Sequence, residues 1–408
     1  MRKLTVKNFS VIKEAELEFG KITVLIGPQS SGKSLLCKLA YFLGREILMK
    51  AEVWAKEGFD FSAFKDAVRK DFENWFPRSG WGNENWSLSF VSNRYFVILS
   101  GNGETTTPPS LSFDDEFGQV YVNILTNKYP DSLYSPAYHM RALAGIGVWD
   151  RTTYIPSERT YFVDTGKGYR SLASDPDPLT KAFALLYESS RTPDIKKPRM
   201  RRYLKGDLIH GEDTWLFAFD DGRVLPLSLL SSGSKELLPL FSVLEMYELQ
   251  RPSSVIMSET RVDSRYQSAL NFDDFFIEEP EGHIFPDMQQ ELVRYFAELA
   301  NSDQLRPHFT ITTHSPYILS AFGNLIKAGQ AAKARPERAA EIDEKIIPKR
   351  YWIEEGDFKA YAIDGKTGTL NSIMDKETGL IDGDYLDDVS SDIAEEFGKL
   401  LEIQYGGK

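Results

Sequence analysis

A glycine-rich run near the N-terminus has the composition of a phosphate-binding loop. Residues 27–34 read GPQSSGKS and fit the pattern G-x-x-x-x-G-K-[ST]. Glycines let such a loop curl so that consecutive backbone N–H groups point at phosphate oxygens, and a following helix adds positive charge at its N-terminus. We therefore expect this run and the residue after it to bind a nucleotide. The expected binding residues are Gly27, Pro28, Gln29, Ser30, Ser31, Gly32, Lys33, Ser34 and Leu35.

Two side chains of this run have expected roles in phosphoryl transfer. Lys33 would reach the β- and γ-phosphates, and the Ser34 hydroxyl would be a ligand of Mg²⁺, so the expected cofactors are ATP and Mg²⁺. The alternative is a glycine-rich turn without function. An apolar strand predicted before the run and a helix predicted after it are the context that a phosphate loop requires, and they favour binding.

A pair of carboxylates ends an apolar strand later in the chain, in the run FFIEE at 275–279. Successive residues of a strand point to opposite faces, so the two carboxylates are expected to have different roles. We assign Glu278 to the metal ion and Glu279 to the orientation of the attacking water. The alternative is a strand that ends in solvated acids, which is the weaker interpretation beside a phosphate loop.

A histidine follows the next apolar strand, HFTITT at 308–313. A lone histidine at the end of a strand is more often structural than catalytic. His314, however, lies one strand beyond the glutamate pair, where a contact with the γ-phosphate is expected. The expected catalytic residues are therefore Glu279, His314 and Lys33.

The hydrophobic pattern predicts alternating strands and helices around these motifs. Predicted strands cover residues 2–8, 11–18, 21–27, 87–92, 95–100, 206–210, 214–219, 272–279, 308–315 and 351–355, and TTYIPSER at 152–159 reads as a core strand that leads into a loop. Predicted helices cover residues 31–48, 178–190 and 235–248; a helix is also predicted after each of the strands 272–279 and 308–315, and another begins at Asp387.

Composition limits the location and the partners of the chain. It has 408 residues and a net charge of −12, and no run approaches the ~20 apolar residues of a membrane span. Cys37 is the single cysteine, which excludes an intramolecular disulfide, and we expect a cytoplasmic protein without a membrane partner. Seven Lys or Arg lie within 191–205. This run is either a nucleic-acid or acidic-protein contact or, as is more usual, a solvated segment.

Four motifs occur in a fixed order: GPQSSGKS, LSSGSKE at 230–236, FFIEEPEGHIFPDMQQ at 275–290 and TITTHSP at 310–316. Together they resemble the ABC-type ATPase superfamily in its SMC, RecF and OLD-like branch, over residues 1–45 and 205–325. The resemblance implies an α/β P-loop ATPase head with a mixed β-sheet flanked by helices. The expected domains are a core of 1–48 and 205–330, an inserted α+β segment of 49–150, a connection of 151–204 and a C-terminal extension of 331–408.

The resemblance also implies a site shared between two copies of the chain. Ser231, Ser232 and Gly233 match the signature motif, which in the family caps the γ-phosphate bound by a second protomer. A head-to-head homodimer or a higher even-numbered oligomer would follow. Alternatively, LSSGSKE is an ordinary serine-rich helix N-cap. Many relatives carry Asp where this chain has Glu278, and the glutamine of the Q-loop is not identified. Ser157, Glu158 and Arg159 of YIPSER are expected to line the site instead.

The functional interpretation follows from what accompanies the ATPase motifs. Beyond His314 the chain shows only a weak acidic run, IDGDYLDD at 381–388, so we predict no nuclease module. Similar Septu- and PARIS-type ATPases suggest a sensor or regulator of a separate nuclease or toxin in bacterial anti-phage defence. The alternative is a RecF-like recombination or repair ATPase stimulated by duplex DNA. A transporter subunit is a weaker third interpretation.

Overall fold

The computed structural model describes residues 2–103, 107–126, 140, 143–145, 152–164, 177–191, 198–212, 214–250, 273–302 and 307–382, which form a mixed α/β fold. The strands are β1 Arg2–Phe9, β2 Ile12–Glu18, β3 Ile22–Ile26, β4 Trp86–Ser92, β5 Tyr95–Gly101, β6 Ser110–Phe113, β7 Thr152–Ile155, β8 Gly206–His210, β9 Trp215–Phe219, β10 Val224–Pro226, β11 Asp274–Glu278, β12 His308–Thr313, β13 Phe358–Asp364 and β14 Thr369–Ser372. The helices are α1 Lys33–Tyr41, α2 Ile47–Lys56, α3 Phe61–Trp75, α4 Asp115–Leu125, α5 Tyr161–Asp164, α6 Pro178–Ser190, α7 Pro198–Leu204, α8 Ser232–Gln250, α9 Pro286–Ala300, α10 Pro316–Ala334 and α11 Ala339–Lys345.

One large sheet carries every strand of the described chain except β8 to β10, in the order β6-β5-β4-β1-β2-β14-β13-β3-β12-β11-β7. The block β13, β3, β12, β11 and β7 is parallel throughout. Parallel strands begin at one edge and end at the other. The loops after β3, β7, β11 and β12, which carry the predicted chemistry, therefore meet at a single edge of the sheet.

Alternation along the parallel strands separates two hydrophobic cores. Val24 and Ile277 face one core, which α8, α9 and α10 cover, whereas Leu25 and Phe276 face the other, which α1 to α4 cover. Burial on both faces explains why β3 reads as a continuous apolar run, ITVLI. A small antiparallel sheet of β8, β9 and β10 contributes Leu208 and other side chains to the first core.

The segment after α2 contributes many aromatic residues to the second core. Phe72, Phe76, Trp81 and Trp86 are buried and pack with Phe9 of β1 at ring separations of 5.1 to 6.3 Å. The predicted hairpin 87–92 and 95–100 is confirmed as β4 and β5, and β4 pairs with β1, so the main sheet continues into this segment.

The structure corrects two predicted elements. The helix expected over 31–48 begins at Lys33, passes through a π-helical turn at Phe42–Glu46 and continues as α2 to Lys56. The strand expected at 351–355 is absent there. Tyr351 ends a short 3₁₀ turn, and the next strand is β13, which begins seven residues after the predicted start. Aromatic and β-branched residues at 351–353 suggested an extended run, but turns lie on both sides of it, and the strand begins only after the second turn.

The predicted domain division stays a prediction, although hydrogen bonds of the main sheet cross its boundaries. β4 of the expected insertion pairs with β1, and β13 of the expected extension lies beside β3 inside the sheet. Within the described ranges no helix is long and apolar enough to cross a membrane. The acidic run 381–388 and the helix expected from 387 lie almost wholly outside the described residues.

Candidate nucleotide site

The predicted phosphate loop joins β3 to α1 and has the backbone expected of an anion cradle. Ser30 and Gly32 have positive φ angles of 60° and 105°. A Cβ at Gly32 would lie 2.5 Å from Ile12 Cδ1, so both the left-handed backbone and the close packing require glycine there. Pro28, Gln29 and Ser30 are exposed at the tip, while Gly27, Ser31 and Lys33 are buried. Leu35 is half-buried and packs on the second core.

Unsatisfied groups of the loop fit a phosphate ligand. The Ser31 hydroxyl is buried and has no hydrogen-bond partner within the described protein. The Lys33 ammonium folds back onto its own loop and donates to the carbonyls of Gly27, at 2.8 Å, and Pro28, at 2.9 Å. Burial lowers the pKa of Lys33, and the carboxylates of Glu279 and Glu281 oppose that shift. A buried cation held mainly by neutral oxygens is ready to exchange them for anionic ones.

Glu278 lies at the end of β11 and faces a cavity of about 480 Å³ that Ser34 also lines. Its Oε1 accepts a hydrogen bond of 2.6 Å from the Tyr154 hydroxyl, and its Oε2 accepts one of 3.3 Å from the Ser157 N–H. Burial, with Glu278 adding to it, raises the pKa of Tyr154 well above its usual value, so this phenol remains a donor. The hydroxyl and the carboxylate on one cavity are a donor set suited to Mg²⁺, which binds few protein oxygens and completes its shell with phosphate and water.

Glu279, His314 and Lys33 form a second group at the same edge of the sheet. His314 Nε2 lies 3.1 Å from Lys33 Nζ and 3.2 Å from Glu279 Oε1. One ring nitrogen cannot both accept from the ammonium and donate to the carboxylate, so the tautomer of His314 decides which contact is a hydrogen bond. The three predicted catalytic residues are thus together, with Glu279 and His314 about two-fifths and one-third exposed.

The reason given for the separate directions of Glu278 and Glu279 needs correction. β11 ends at Glu278, and Glu279 has a left-handed φ of 40°, so strand alternation does not apply to it. The Glu279 amide donates to the Thr312 carbonyl of the neighbouring strand at 2.9 Å. A turn in the backbone, rather than the pleat, points Glu279 toward His314. Such an uncommon conformation in a residue that is not glycine is typical of functional sites.

Sequence reasoning assigned no role to Glu281, which supports His314. Its Oε1 accepts hydrogen bonds of 2.7 Å from both the Thr313 hydroxyl and the His314 N–H. Tyr154 was also missed as the partner of Glu278. The EEPE spacing contained a signal for Glu281, because a carboxylate two residues after a sharp turn can reach back to the adjacent strand. Nothing in the sequence linked Tyr154 to Glu278.

The YIPSER run borders the site as expected, with a division of roles. Ser157 and Glu158 line the cavity with Ser34 and Glu278. Arg159 is fully buried and reaches the backbone behind the carboxylates, where it donates to the carbonyls of Glu278 and Glu279 at 2.7 and 2.9 Å.

The predicted signature motif begins α8 and lies at the surface. Ser231 and Ser232 are exposed, and Ser231 Oγ accepts from the Ser234 N–H at 3.2 Å, as a helix N-cap does. A Cβ on Gly233 would meet the His283 carbonyl at 3.0 Å, which places this helix start against the loop that follows Glu279. The described contacts of the motif are with residues of its own turn and of that loop, rather than with the phosphate loop of the same chain.

Most basic residues of 191–205 that the structure describes contact side chains of the same chain, and both interpretations of this run stay predictions. Their partners are Tyr187 and Trp215 for the buried Arg191, Glu248 and Glu298 for Arg199, Asp207 and Asp220 for Arg201, and Tyr351 for Arg202. Residues 192–197 lie outside the described part of the chain.

Comparison with protein families gives one match. The family described as "AAA ATPase domain" matches residues 167–319, which include the signature-like run, the glutamate pair and His314. The match supports the prediction of an ATPase domain for this part of the chain. A comparison with curated proteins gave no match.

Solved structures with a similar arrangement include two SMC heads and a recombination protein. The SMC head domain from Thermotoga maritima is 14% identical, with a TM-score of 0.36 over 78% of this chain and 90% of that chain. The Smc head domain from Pyrococcus furiosus, bound to the C-terminal domain of ScpA, is 11% identical, with a TM-score of 0.38 over 91% and 96%. The recombination mediator protein RecF with ATP is 11% identical, with a TM-score of 0.34 over 91% and 98%.

Proposed function

We propose that the chain binds ATP with Mg²⁺ and hydrolyses it to ADP and phosphate. The observation that carries the proposal is the convergence of Lys33, His314 and Glu279 within 3.1 and 3.2 Å contacts beside the phosphate loop. Ser34 and Glu278 share the adjoining cavity. A loop for phosphates, an oxygen pair for a cation and a carboxylate near a histidine are the parts that phosphoryl transfer requires.

Each side chain has a role that its surroundings support. Lys33 would exchange the carbonyls of its own loop for phosphate oxygens, and Ser31 would gain a partner for its buried hydroxyl. Ser34 and Glu278 would hold Mg²⁺, which when bound neutralises charge on the phosphate oxygens. Glu279, more exposed than Glu278, would orient water, and His314 would contact the terminal phosphate. Glu281 would hold the His314 backbone in place.

A site completed by a second copy of the chain is the second part of the proposal. Ser231 and Ser232 are exposed at the start of α8 and so are available to a nucleotide bound elsewhere. Three exposed apolar side chains flank the same loops: Leu229 at 66%, Phe285 at 77% and Tyr317 at 57% exposure. Leu229 and Tyr317 lie within three residues of Ser231 and His314, and Phe285 belongs to the motif at 275–290, so a second copy that contacts these motifs would also contact them. A homodimer or a higher even-numbered oligomer would cover them.

The biological role is proposed from the resemblance of the four motifs alone. The chain would act as the sensor or regulator of a separate nuclease or toxin in bacterial anti-phage defence. ATP-dependent association would transmit the signal of an invader to that effector.

ATP turnover measured across a wide range of protein concentration tests the proposal. We expect a specific rate that rises with concentration as mass in solution shows association, and that Glu279→Gln loses while it still binds ATP. Glu248→Gln, near the far end of α8, is the matched control and should behave as the unaltered protein does. A specific rate that does not change with concentration, in a protein shown to be a monomer, would overturn the shared site. Strong stimulation by duplex DNA would favour the recombination ATPase instead.

A further inference from the structure

A buried arginine connects three segments around the candidate catalytic carboxylate. Arg159 has no solvent exposure, and its guanidinium donates to four backbone carbonyls. These are Glu236 at 3.1 Å, Pro156 at 3.1 Å, Glu278 at 2.7 Å and Glu279 at 2.9 Å. The turn after β7, the start of α8 and the end of β11 therefore share one rigid planar group, which presents its donors in a fixed geometry.

The charge of Arg159 is balanced on α8. Its NH2 group lies 2.9 Å from Glu236 Oε2, and the Glu236 side chain is only 5% exposed. Burial lowers the pKa of Arg159, and Glu236 is the foremost of the carboxylates that oppose this shift. A buried guanidinium needs such a partner, since a charge left alone in the interior is strongly unfavourable. The pair therefore ties the position of α8 to the position of Arg159.

Glu236 also continues the connection to the loop that follows Glu279. Its Oε1 lies 3.1 Å from His283 Nδ1. Gly233, one turn earlier on α8, packs against the carbonyl of the same histidine. The serine-rich start of α8 and the loop that follows Glu279 are thus held against each other by two contacts with His283, in addition to Arg159.

Glu279 depends on this support because of its backbone. β11 has ended, φ is 40°, and the carbonyl of Glu279 receives the Arg159 NH2 group. A residue in an uncommon conformation persists when surrounding contacts determine it fully. Arg159 supplies one of those contacts directly through its hydrogen bond to the Glu279 carbonyl. Its ion pair with Glu236 connects this contact to α8.

We propose that Arg159 and Glu236 are positioning residues that set the direction of Glu279 relative to the start of α8. The pair transmits a displacement of the Ser231–Gly233 turn to Glu279 without touching the nucleotide. This inference rests on the proposed function and assigns a regulatory link to the same site. Binding of a phosphate at the start of α8 would then adjust the carboxylate that orients water.

The test compares two Glu→Gln changes on one helix. Glu236→Gln removes the charge beside Arg159 and keeps its shape, and Glu248→Gln does the same near the other end of α8, where Glu248 pairs with Arg199. We expect Glu236→Gln to lower kcat about tenfold or more, because small displacements of a positioned group have large effects. Its KM for ATP and its affinity for a fluorescent ATP analogue should stay within about twofold, as a separation of orientation from binding requires. Glu248→Gln should change neither.

A second readout does not depend on turnover. Arg159→Lys keeps the positive charge but loses the planar guanidinium that donates to several carbonyls at once. Hydrogen exchange of the 273–285 backbone should therefore accelerate in the protein without nucleotide. Exchange in β1 and β2 should not change. If the unaltered chain fails to hydrolyse ATP, the proposed function fails while this exchange result still stands or falls by itself. An unchanged kcat in folded Glu236→Gln, an equal loss of nucleotide affinity, or exchange accelerated throughout the chain would overturn the proposal.

Discussion

The two ends of strand β11 carry buried carboxylates with different surroundings. Asp274 at the beginning forms two hydrogen bonds with the Arg2 guanidinium, at 2.6 and 3.0 Å, and both side chains are nearly buried. Glu278 at the end has neutral donors, the Tyr154 hydroxyl and the Ser157 amide, and faces a cavity. The first carboxylate already has its cation. The second, equally buried, still has room for one, and this difference separates a structural acid from a candidate metal ligand.

The largest expected effect is on turnover, from the change Glu278→Gln. The amide keeps the volume and one oxygen but removes the charge that would hold Mg²⁺, so turnover should fall about 100-fold to 1000-fold. Titration of ATPase activity with Mg²⁺ measures this loss. Asp274→Asn is the matched change at the other end of the strand, and its turnover per folded molecule should stay within about twofold. Similar losses from both changes would contradict the distinction between the two ends.

The second expected effect is on stability, and it concerns the end of β11 that carries Asp274. Asp274→Asn removes the carboxylate charge that pairs with the Arg2 guanidinium, which is 13% exposed, and should lower the free energy of unfolding by about 3 kcal/mol. Urea unfolding followed by tryptophan fluorescence measures the change. Glu16→Gln, which removes the exposed partner of Lys3 on the neighbouring strands, should leave the unfolding midpoint unchanged. A stable Asp274→Asn protein would show that the buried pair contributes little.

Stability is also expected to depend on pH through a histidine beside the Asp274 end of β11. His308 lies opposite Asp274 in the register of β11 and β12, and burial, with Arg2 and Lys21 nearby, lowers its pKa from 6.5 to about 3. Between these values the unfolded chain binds a proton that the folded chain does not, so stability falls as pH falls through this window. The difference amounts to about 2–3 kcal/mol near pH 4.5.

The variant His308→Gln removes the imidazole that takes up this proton in the unfolded chain. It should therefore flatten the dependence of the unfolding free energy on pH between neutrality and about pH 4.5. Burial raises the pKa of Asp274, although Arg2 opposes this shift. Protonation of Asp274 at low pH therefore makes stability rise as pH falls, which is opposite to the effect of His308. The quantity to compare is therefore the slope of stability against pH in the two proteins, rather than the stability itself. Parallel slopes would contradict the prediction.

Sequence analysis located the residues of the candidate site because each of them belongs to a motif that borders a predicted apolar strand. Lys33, Glu278, Glu279 and His314 were predicted from these motifs, and the structure brings them to one edge, where the ends of the parallel strands meet. The left-handed turn at Glu279 was not predicted, because local spacing does not reveal a φ angle set by contacts with β12 and Arg159.

Long-range pairing explains the remaining differences. β13 enters the sheet beside β3 from more than 330 residues away, and nothing in its own composition specifies that neighbour. The partner of Glu278 is equally distant, since Tyr154 is 124 residues earlier and belongs to a different strand. Periodicity predicts the faces of a strand, but the order of strands depends on how all the faces are buried together.

The smallest expected effect concerns how Glu278 is held. Tyr154→Phe removes only the hydroxyl that donates to Glu278 Oε1, in a position that is otherwise buried among Tyr41 and Phe276. The carboxylate would lose one of the contacts that orient it toward the cavity. Loss of such an outer contact typically lowers metal affinity about tenfold, so half-maximal activity should require about ten times more Mg²⁺.

The control for this change lies on the other side of the same strand. Tyr247→Phe removes a buried hydroxyl that bonds to Thr153 at 2.6 Å, one residue from Tyr154 but away from Glu278. Its Mg²⁺ requirement should stay as in the unaltered protein, while both variants lose a similar increment of stability. Equal shifts in the two variants would mean that β7 acts only through its general packing. A shift confined to Tyr154→Phe would instead show that the orientation of Glu278 toward the cavity controls metal binding, as the contrast with the satisfied Asp274 requires.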